Sequence, residues 1–392
     1  MTNVKGENIR KIRDYVIGEK DGFVDFFPRY IQLEHTNRCN AHCIMCNHFF
    51  LGNSGTDELQ EKLVKKIEPI LPYCELIMLN GDGEPFLCRN IGNYAKLYKK
   101  YGVRISANTN LCALSPDGIR QYGKYIDYLN VSCDGVSKET FEFIRRGLDF
   151  DRFKENLRVL TSEFPHMRVN LDCVLMTHNI TEAADIVKFA KENGVASVHF
   201  NLLRTNPRIG NQADCIFNYP SLAAKCINKA IETANFLDIE IVCPRLGSAK
   251  TDAQAESELA SLMAVNRDAL IKERLQNIDV TDHDSIAEDY LNIEACANDF
   301  NNSTFNGGKY CSWALERCYI DIAGNVSTCC FNVHHYMGNL YNAESFDEIW
   351  NGSNYRNLRL KMAVNILPEW CRNCTWFRGE SKYLTKGLEF PY

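Results

Sequence analysis

The sequence predicts an α/β protein, with a parallel sheet and helices followed by a smaller cysteine-rich unit. Two observations carry this prediction. Between Arg29 and Leu202, short apolar runs alternate with stretches of helix formers, which is typical of β/α units with parallel strands. From Cys311 onward, two short strand-like runs enclose the turn Ala323-Gly324-Asn325 and a helical stretch follows. This second pattern predicts a β-hairpin plus a helix.

Length and composition are those of a folded protein with room for two or three domains. The chain has 392 residues, of which 45% are hydrophobic and 24% are charged. Its formal net charge of -6 gives no electrostatic reason to expect a nucleic-acid or membrane partner. The charged start and the lack of a long apolar run predict a cytoplasmic protein. In that compartment the 18 cysteines favour metal ligation over disulfides.

The predicted elements follow one another in short succession. Residues 1–28 predict a charged amphipathic helix and an aromatic turn, to which no chemistry is assigned. In parallel barrels the working residues follow the C-terminal ends of the strands, so the loops after the strands are the places to look for a site. The predicted strands are Tyr30–His35, Glu75–Leu79, Arg104–Ala107, Tyr128–Ser132, Arg168–Met176 and Ser197–Leu202, and the predicted helices are Leu59–Ile70, Ile91–Tyr101, Pro116–Tyr125, Lys138–Glu163 and Thr181–Asn193.

Three cysteines, Cys39, Cys43 and Cys46, lie on the loop after the first predicted strand. Their C-x3-C-x2-C spacing is one ligand short for a tetrahedral metal ion. Three thiolates can instead hold three irons of a 4Fe–4S cluster and leave the fourth iron open to another molecule. The alternatives are a zinc site or three unrelated buried cysteines. A zinc site normally finds a second close pair, and the next C-x2-C pair, Cys371 and Cys374, is distant in sequence.

The cysteine triplet resembles the motif of the radical SAM superfamily, and Asn80-Gly81-Asp82-Gly83-Glu84-Pro85 resembles that family's Gly-Gly-Glu-Pro motif with Asp82 between the glycines. The resemblance implies a partial (β/α)6 barrel, a 4Fe–4S cluster with an open iron, and S-adenosylmethionine (SAM) bound to that iron. The alternative for the glycine segment is a plain glycine turn. The alternative for the Arg145-Arg146 pair is a solvated helix face. The residues to which the resemblance assigns contacts with SAM are Met45, Gly81, Gly83, Glu84, Pro85, Asn108, Ser132, Arg145 and Arg146.

A second group of cysteines lies near the C-terminus. The run that contains them resembles the SPASM and twitch appendages of radical SAM enzymes, which carry auxiliary iron–sulfur clusters. Cys311, Cys329, Cys371 and Cys374 supply four thiolates, enough to ligate one auxiliary 4Fe–4S cluster. Structural zinc is the alternative. Cys330, beside Cys329, is either a substitute ligand or a hydrogen-atom donor.

These observations divide the chain into four parts. We expect an N-terminal segment over residues 1–28, the radical SAM barrel over 29–245, a helical acidic insertion or linker over 246–300, and the auxiliary-cluster domain over 301–392. Surface decoration is the simplest interpretation of the insertion, although it is also placed to cover a substrate opening.

By family analogy, the expected activity is reductive cleavage of SAM to a 5'-deoxyadenosyl radical that abstracts a hydrogen atom from a small molecule, such as a carbohydrate or aminocyclitol. Two-electron oxidation by a dehydrogenase is preferred, with a one-electron reductant such as flavodoxin or ferredoxin as partner. The alternatives are an epimerase with a thiol hydrogen donor (Cys330, Cys318 or Cys243) and a peptide maturase. A non-catalytic electron carrier or zinc scaffold is disfavoured, since a scaffold has no use for an open iron.

Overall fold

A computed structural model describes residues 4–17, 21–50, 55, 57–244, 246, 251–277, 312–330, 335–363, 368, 371 and 383–385. Within these ranges no helix combines the length and the apolar character that crossing a bilayer requires. Residues 278–311, which hold the end of the expected insertion and Cys311, lie outside them, as does Cys374.

One sheet runs through the described residues. Its strands are β1 Tyr30–Leu33, β2 Leu76–Met78, β3 Arg104–Thr109, β4 Tyr128–Ser132, β5 Arg168–Leu175, β6 Ser197–Leu202, β7 Glu240–Pro244, β8 Arg317–Ile320, β9 Asn325–Ser327, β10 Tyr336–Asn339 and β11 Tyr383–Thr385. Their spatial order is β10-β9-β8-β1-β2-β3-β4-β5-β6-β7-β11. Strands β1 to β7 are parallel neighbours, so the loops that follow them open at one edge of the sheet. The predicted α/β class with a parallel core is confirmed, and β7 extends that core beyond the six expected strands.

Strand residues alternate between the two faces of the sheet, and helices pack on the face that carries the apolar side chains. Leu129 and Val131 of β4 are buried in the same hydrophobic core as Leu157 and Ile186 of two helices. The α-helices of the described chain are Val4–Ile17, Asn47–Phe50, Glu61–Ile67, Ile91–Lys100, Pro116–Tyr122, Lys138–Ile144, Phe150–Glu163, Ala183–Glu192, Pro220–Leu237, Asp252–Met263, Arg267–Asn277, Ser312–Glu316, Phe346–Trp350 and Ser353–Ala363.

The continuous helix expected over Lys138–Glu163 is in fact two helices, and this prediction is wrong. The first helix ends at Ile144 and the second begins at Phe150. Gly147 between them has a φ of +87°, a left-handed conformation that glycine adopts without strain and that terminates helices. The break places the backbone of this segment against the cysteine loop.

The C-terminal hairpin joins the edge of the parallel sheet. Strand β8 pairs in parallel with β1, so that Ile320 lies opposite Leu33, and β9 and β10 continue from β8 in antiparallel fashion. The predicted hairpin is confirmed, although Asn325, which was expected in the turn, begins β9. In the turn the Asp321 carboxylate accepts a hydrogen bond from the Asn325 amide at 2.9 Å.

The aromatic N-terminal segment packs against helices from the other end of the chain. The Trp350 indole donates a hydrogen bond to the carbonyl of Phe26 at 2.9 Å, and the Asn351 side chain pairs with both backbone groups of Val24 at 2.9 Å. This segment therefore ties the N-terminus to the C-terminal unit.

Candidate functional site

The cysteine loop leaves the C-terminal end of β1 and carries Cys39, Cys43 and Cys46. Cys43 is buried, while the other two are partly exposed. Burial raises the pKa of all three thiols, to about 12 for Cys43, and the positive charge of Arg145 opposes that shift at each of them. The thiolate is the metal-ligating form, so nearby positive charge favours ligation at these thiols.

Among the described residues no three His, Cys, Asp or Glu side chains form a group that could hold a single metal ion. In a 4Fe–4S cluster each thiolate binds a different iron, whereas zinc needs its ligands around one centre.

The cysteine loop is held in place by residues 144–146, at the break between the helices Lys138–Ile144 and Phe150–Glu163. The amide of His42 donates to the carbonyl of Arg146 at 2.7 Å, and the amide of Ile44 donates to the carbonyl of Ile144 at 3.0 Å. The guanidinium of Arg146 lies over the ring of Phe143. Arg146 thus acts on the cysteine loop through its backbone.

Arg145 lies beside the cysteine loop, where it pairs with Asp134. Its Nη2 is 2.7 Å from Asp134 Oδ2, and its Nη1 is 3.8 Å from Cys43 Sγ. Asp134 follows β4 and also accepts a hydrogen bond from the Val174 amide at 2.7 Å. Burial raises the pKa of Asp134, and the Arg145 charge opposes that shift. Arg145, one of the two arginines predicted to contact SAM, therefore pairs with a carboxylate of the protein.

The glycines of the loop after β2 pack closely on the exit from β1. A Cβ added to Gly81 would lie 2.4 Å from Glu34 Cγ, and one added to Gly83 would lie 2.3 Å from the carbonyl oxygen of Thr36. The lack of a side chain at these two positions allows the loop to approach the start of the cysteine loop closely.

Glu84 joins this glycine loop to the loop after β3. Its carboxylate accepts hydrogen bonds from the Thr109 hydroxyl at 2.7 Å and from the Asn110 amide at 2.8 Å, and the Asn110 side chain donates to Asn40 Oδ1 at 2.8 Å. Burial raises the pKa of Glu84 to about 7, while these hydrogen bonds oppose the shift. Pro85 follows and begins a short 3-10 turn. Three strand-end loops are thereby joined at one place.

A row of polar side chains, here called the polar ladder, crosses the sheet on the face opposite the helices. It consists of Asn108, Asn130, Asn170 and Ser197, which occupy matching register positions on β3 to β6. Asn130 donates to Asn108 at 3.0 Å, Asn170 to Asn130 at 3.0 Å, and the Ser197 hydroxyl to Asn170 at 2.7 Å. The predicted SAM contact Asn108 is thus one end of a hydrogen-bonded chain.

The ladder continues into an imidazole–carboxylate pair. His199 Nε2 is 2.9 Å from the Ser197 hydroxyl, and its Nδ1 is 2.9 Å from Asp172 Oδ1. Asp172 lies between Ser132 and His199 in the strand register, so the pair shares a row with the predicted SAM contact Ser132. Neither His199 nor Asp172 was expected at the site from the sequence. The alternation of polar residues along β5 and β6 was the available signal.

The C-terminal cysteines are described only in part. Cys329 and Cys330 follow β9 and are partly exposed, and Cys371 is partly exposed and contacts a small cluster formed by Ala314, Leu358 and Met362. The predicted ligands Cys311 and Cys374 lie outside the described residues. The alternative hydrogen donors Cys318 and Cys243 are fully buried in the main hydrophobic core, and burial raises the pKa of both.

The structure therefore brings most of the predicted cofactor residues to one end of the parallel sheet. Met45, with the three cysteines, contributes to the packed face of the cysteine loop. Asp134 and Asn110, which were not among the predicted contacts, complete the arrangement. Both follow strand ends, where the working residues of parallel barrels lie.

Two family models match this chain. The model of the radical SAM superfamily matches residues 33–203, and the SPASM model, an iron–sulfur cluster-binding domain, matches residues 311–375. Together they cover both groups of cysteines.

Curated relatives are similar over part of the chain. A probable GTP 3',8-cyclase of Methanothermobacter thermautotrophicus is 27% identical over 179 residues, which are 45% of this chain and 58% of the relative. The GTP 3',8-cyclase of Listeria welshimeri is 23% identical over 178 residues, 42% of this chain and 51% of the relative. The chain spans little more than half the length of these relatives.

Solved structures show the same fold at low identity. Streptococcus suis SuiB bound to precursor peptide SuiA superposes with a TM-score of 0.54 and 14% identity, over 90% of this chain and 70% of that one. Native anSMEcpe with bound AdoMet gives a TM-score of 0.56 and 15% identity, over 89% and 87%.

Proposed function

Because the chain carries a radical SAM domain and a SPASM iron–sulfur cluster-binding domain, we propose that it is an enzyme that cleaves SAM reductively and oxidises a polar small molecule. The first domain implies a 4Fe–4S cluster and SAM, and the second implies auxiliary iron–sulfur clusters. The observation that carries the proposal is the placement of Cys39, Cys43 and Cys46 beside Arg145, at the C-terminal edge of the parallel sheet.

The chain's own residues have defined tasks in this proposal. Cys39, Cys43 and Cys46 hold the cluster with one open iron, and the C-terminal cysteines hold an auxiliary cluster. When bound, these groups supply one-electron cleavage of SAM to a hydrogen-abstracting radical and an acceptor for the second electron. Arg145 places a positive charge beside the thiolates, and Glu84 fixes the loops around them.

A polar, hydroxyl-bearing substrate is supported by the polar ladder. The face of the sheet opposite the helices offers amide and hydroxyl groups from Asn108, Asn130 and Ser197. Oxidation of an alcohol carbon removes one hydrogen atom, one electron and the hydroxyl proton. In this proposal the Asp172–His199 pair accepts the proton, and Asp172 orients the imidazole. The carbohydrate or aminocyclitol class remains our preferred substrate.

The first test is formation of 5'-deoxyadenosine. Anaerobically reconstituted protein, reduced chemically and given SAM with a panel of sugars and aminocyclitols, is expected to release 5'-deoxyadenosine in proportion to an oxidised product. A variant with Cys39, Cys43 and Cys46 all changed to Ala is expected to release none. If the parent releases no more 5'-deoxyadenosine than this variant, the proposed enzymatic activity is refuted. Incorporation of deuterium from D2O at a substrate carbon would indicate epimerisation instead of oxidation.

The proton acceptor is tested in the same assay. His199→Gln keeps a hydrogen-bonding side chain but removes the basic nitrogen. It is expected to lower oxidised product by about 100-fold or more while SAM cleavage continues. Equal loss of cleavage and oxidation would assign His199 to the SAM site instead.

A second candidate substrate is GTP. The named relatives are GTP 3',8-cyclases, and 27% identity over 179 residues favours testing their substrate here. GTP is therefore included in the panel. Its conversion without an oxidised sugar product would select cyclisation over dehydrogenation.

A further inference from the structure

The helix Arg267–Asn277 lies outside both matched domains and within the insertion expected over residues 246–300. Surface decoration was the simplest interpretation of that insertion, and covering a substrate opening was the alternative. In the structure the helix covers the cysteine loop, since its Ile271 is 1% exposed and packs in a small hydrophobic cluster with Ile44 of that loop and with Ile144 and Met176. The helix is therefore a wall of the candidate cluster site.

Arg274 reaches from this helix to the backbone between two of the predicted ligands. Its Nη1 donates to the carbonyl oxygen of Ile44 at 3.0 Å, and its Nη2 pairs with Asp214 Oδ2 at 2.8 Å. Ile44 lies between Cys43 and Cys46. The side chains of Arg274 and Asp214 are 3% and 0% exposed, so solvent screens neither interaction.

The network continues away from the loop. The other oxygen of Asp214 is 3.0 Å from His178 Nε2, and the Asp214 carbonyl accepts the Thr177 amide at 2.9 Å. A buried guanidinium is tolerated only where it is paired and hydrogen-bonded, and here its fork meets two acceptors at once. The same loop is also held by backbone hydrogen bonds to the carbonyls of Ile144 and Arg146. The cysteine loop is thus fixed by two separate segments of the chain.

We infer that Arg274 is a positioning residue for the iron–sulfur cluster: it holds the Ile44 carbonyl so that Cys43 and Cys46 keep the spacing that the cluster needs. This rests on the proposed function in one respect, that these thiols bind the cluster. Residues that orient the ligands of a metal site typically change metal affinity by about 10- to 100-fold when removed.

The test compares the parent with four full-length variants, Arg274→Met, Arg274→Lys, Lys272→Met and Leu262→Ala, each reconstituted anaerobically. Arg274→Met removes both interactions. Lys272→Met removes the same charge from an exposed position of the same helix, and Leu262→Ala weakens the buried packing of the preceding helix away from the loop. Two readouts are used: the rate of iron release to a chelator, and the fraction of the reduced cluster's EPR signal that shifts when SAM is added.

Arg274→Met is expected to release iron about tenfold faster and to lose most of the SAM-responsive EPR signal. Both control variants are expected to stay within about twofold of the parent. Arg274→Lys, which keeps the charge but only one of the two contacts, is expected to fall between.

If Leu262→Ala matches Arg274→Met in both readouts, general packing explains the effect and the inference is overturned. The same follows if Arg274→Met resembles Lys272→Met. A parent protein without any SAM-responsive signal would instead overturn the proposed function, and this outcome is distinct because it appears before any variant is compared.

Discussion

At the scale of single residues, Gly83 packs tightly against the start of the cysteine loop. A Cβ at this position would lie 2.3 Å from the Thr36 carbonyl oxygen and 2.6 Å from that of Arg38. Both are backbone atoms, which cannot move aside as a side chain does. We expect Gly83→Ala to lower the free energy of unfolding by about 1 to 3 kcal/mol, measured by urea denaturation of the metal-free protein.

Gly118→Ala is the matched control. Gly118 lies in the helix Pro116–Tyr122, and its added Cβ would approach the flexible end of Leu114 at 3.2 Å. Alanine is the better helix former, so this variant is expected to be neutral or to gain up to about 1 kcal/mol. Equal unfolding midpoints for the two variants would show that the close approach at Gly83 costs nothing.

The sequence predicted which residues form this site, but it did not predict which of their side chains contact each other. The spacing of Cys39, Cys43 and Cys46 is local, and so is the glycine motif that ends in Glu84. The partner of Arg145 is not local, because Asp134 meets it only after β4 and the following helix have packed. Arg274 carried no signal, since an arginine on a polar helix is ordinarily solvated.

At the scale of elements, Glu34 joins the end of β1 to two loops. Its carboxylate accepts hydrogen bonds from the Asp82 amide at 2.8 Å and from the Ile322 amide of the C-terminal hairpin at 3.2 Å. Burial, and next the charge of Asp82, raise the pKa of Glu34 to about 7 from an ordinary value of 4.5. One buried carboxyl thus connects the glycine loop with the hairpin.

This shift predicts a pH dependence of stability. The folded state holds the proton more tightly than the unfolded state, so the contribution of Glu34 is fully present below about pH 4.5 and is lost as the pH rises through 7. Between pH 5 and 7.5 the parent is expected to lose on the order of 2 kcal/mol more than Glu34→Gln, which has no proton to release. Chemical denaturation of metal-free protein at both pH values measures the difference. Parallel losses in the two proteins would rule out Glu34 as the cause.

The elements themselves were largely predictable. Strands β1 to β6 follow from apolar runs with short connections, and each was expected within a few residues of its observed bounds. The break after Ile144 was missed because helix formers continue on both sides of it, although Gly147 was a local sign of a helix end. Strand β7 was missed because the stretch after β6 shows no regular alternation.

At the scale of the whole molecule, the pairing of β1 with β8 makes the parallel core and the C-terminal hairpin parts of one sheet. Arg29 strengthens this junction by pairing with Glu75 at 2.8 Å and with Glu316 at 2.6 Å. No sequence pattern predicts that β1 and β8, which are so far apart in the chain, pair with each other. The hairpin and the parallel strands were each predictable, but their union was not.

A shared sheet predicts that both parts unfold together. All four tryptophans, Trp313, Trp350, Trp370 and Trp376, lie in the C-terminal region, so their fluorescence reports on that region, whereas far-UV circular dichroism is dominated by the helices on the parallel strands. In urea titrations of metal-free protein, the two signals are expected to change at one midpoint.

Leu171→Ala makes this prediction sharp. Leu171 is fully buried in β5, several strands away from β8 and from every described tryptophan. Its truncation is expected to lower the free energy of unfolding by about 2 to 5 kcal/mol. Because stability is shared through the sheet, the fluorescence midpoint is expected to fall as much as the dichroism midpoint. Lys229→Ala, at an exposed position, is expected to leave both midpoints unchanged. A shift of the dichroism midpoint alone would mean that the cysteine-rich unit unfolds independently of the parallel core. The β1–β8 pairing would then contribute little to the stability that the two parts share.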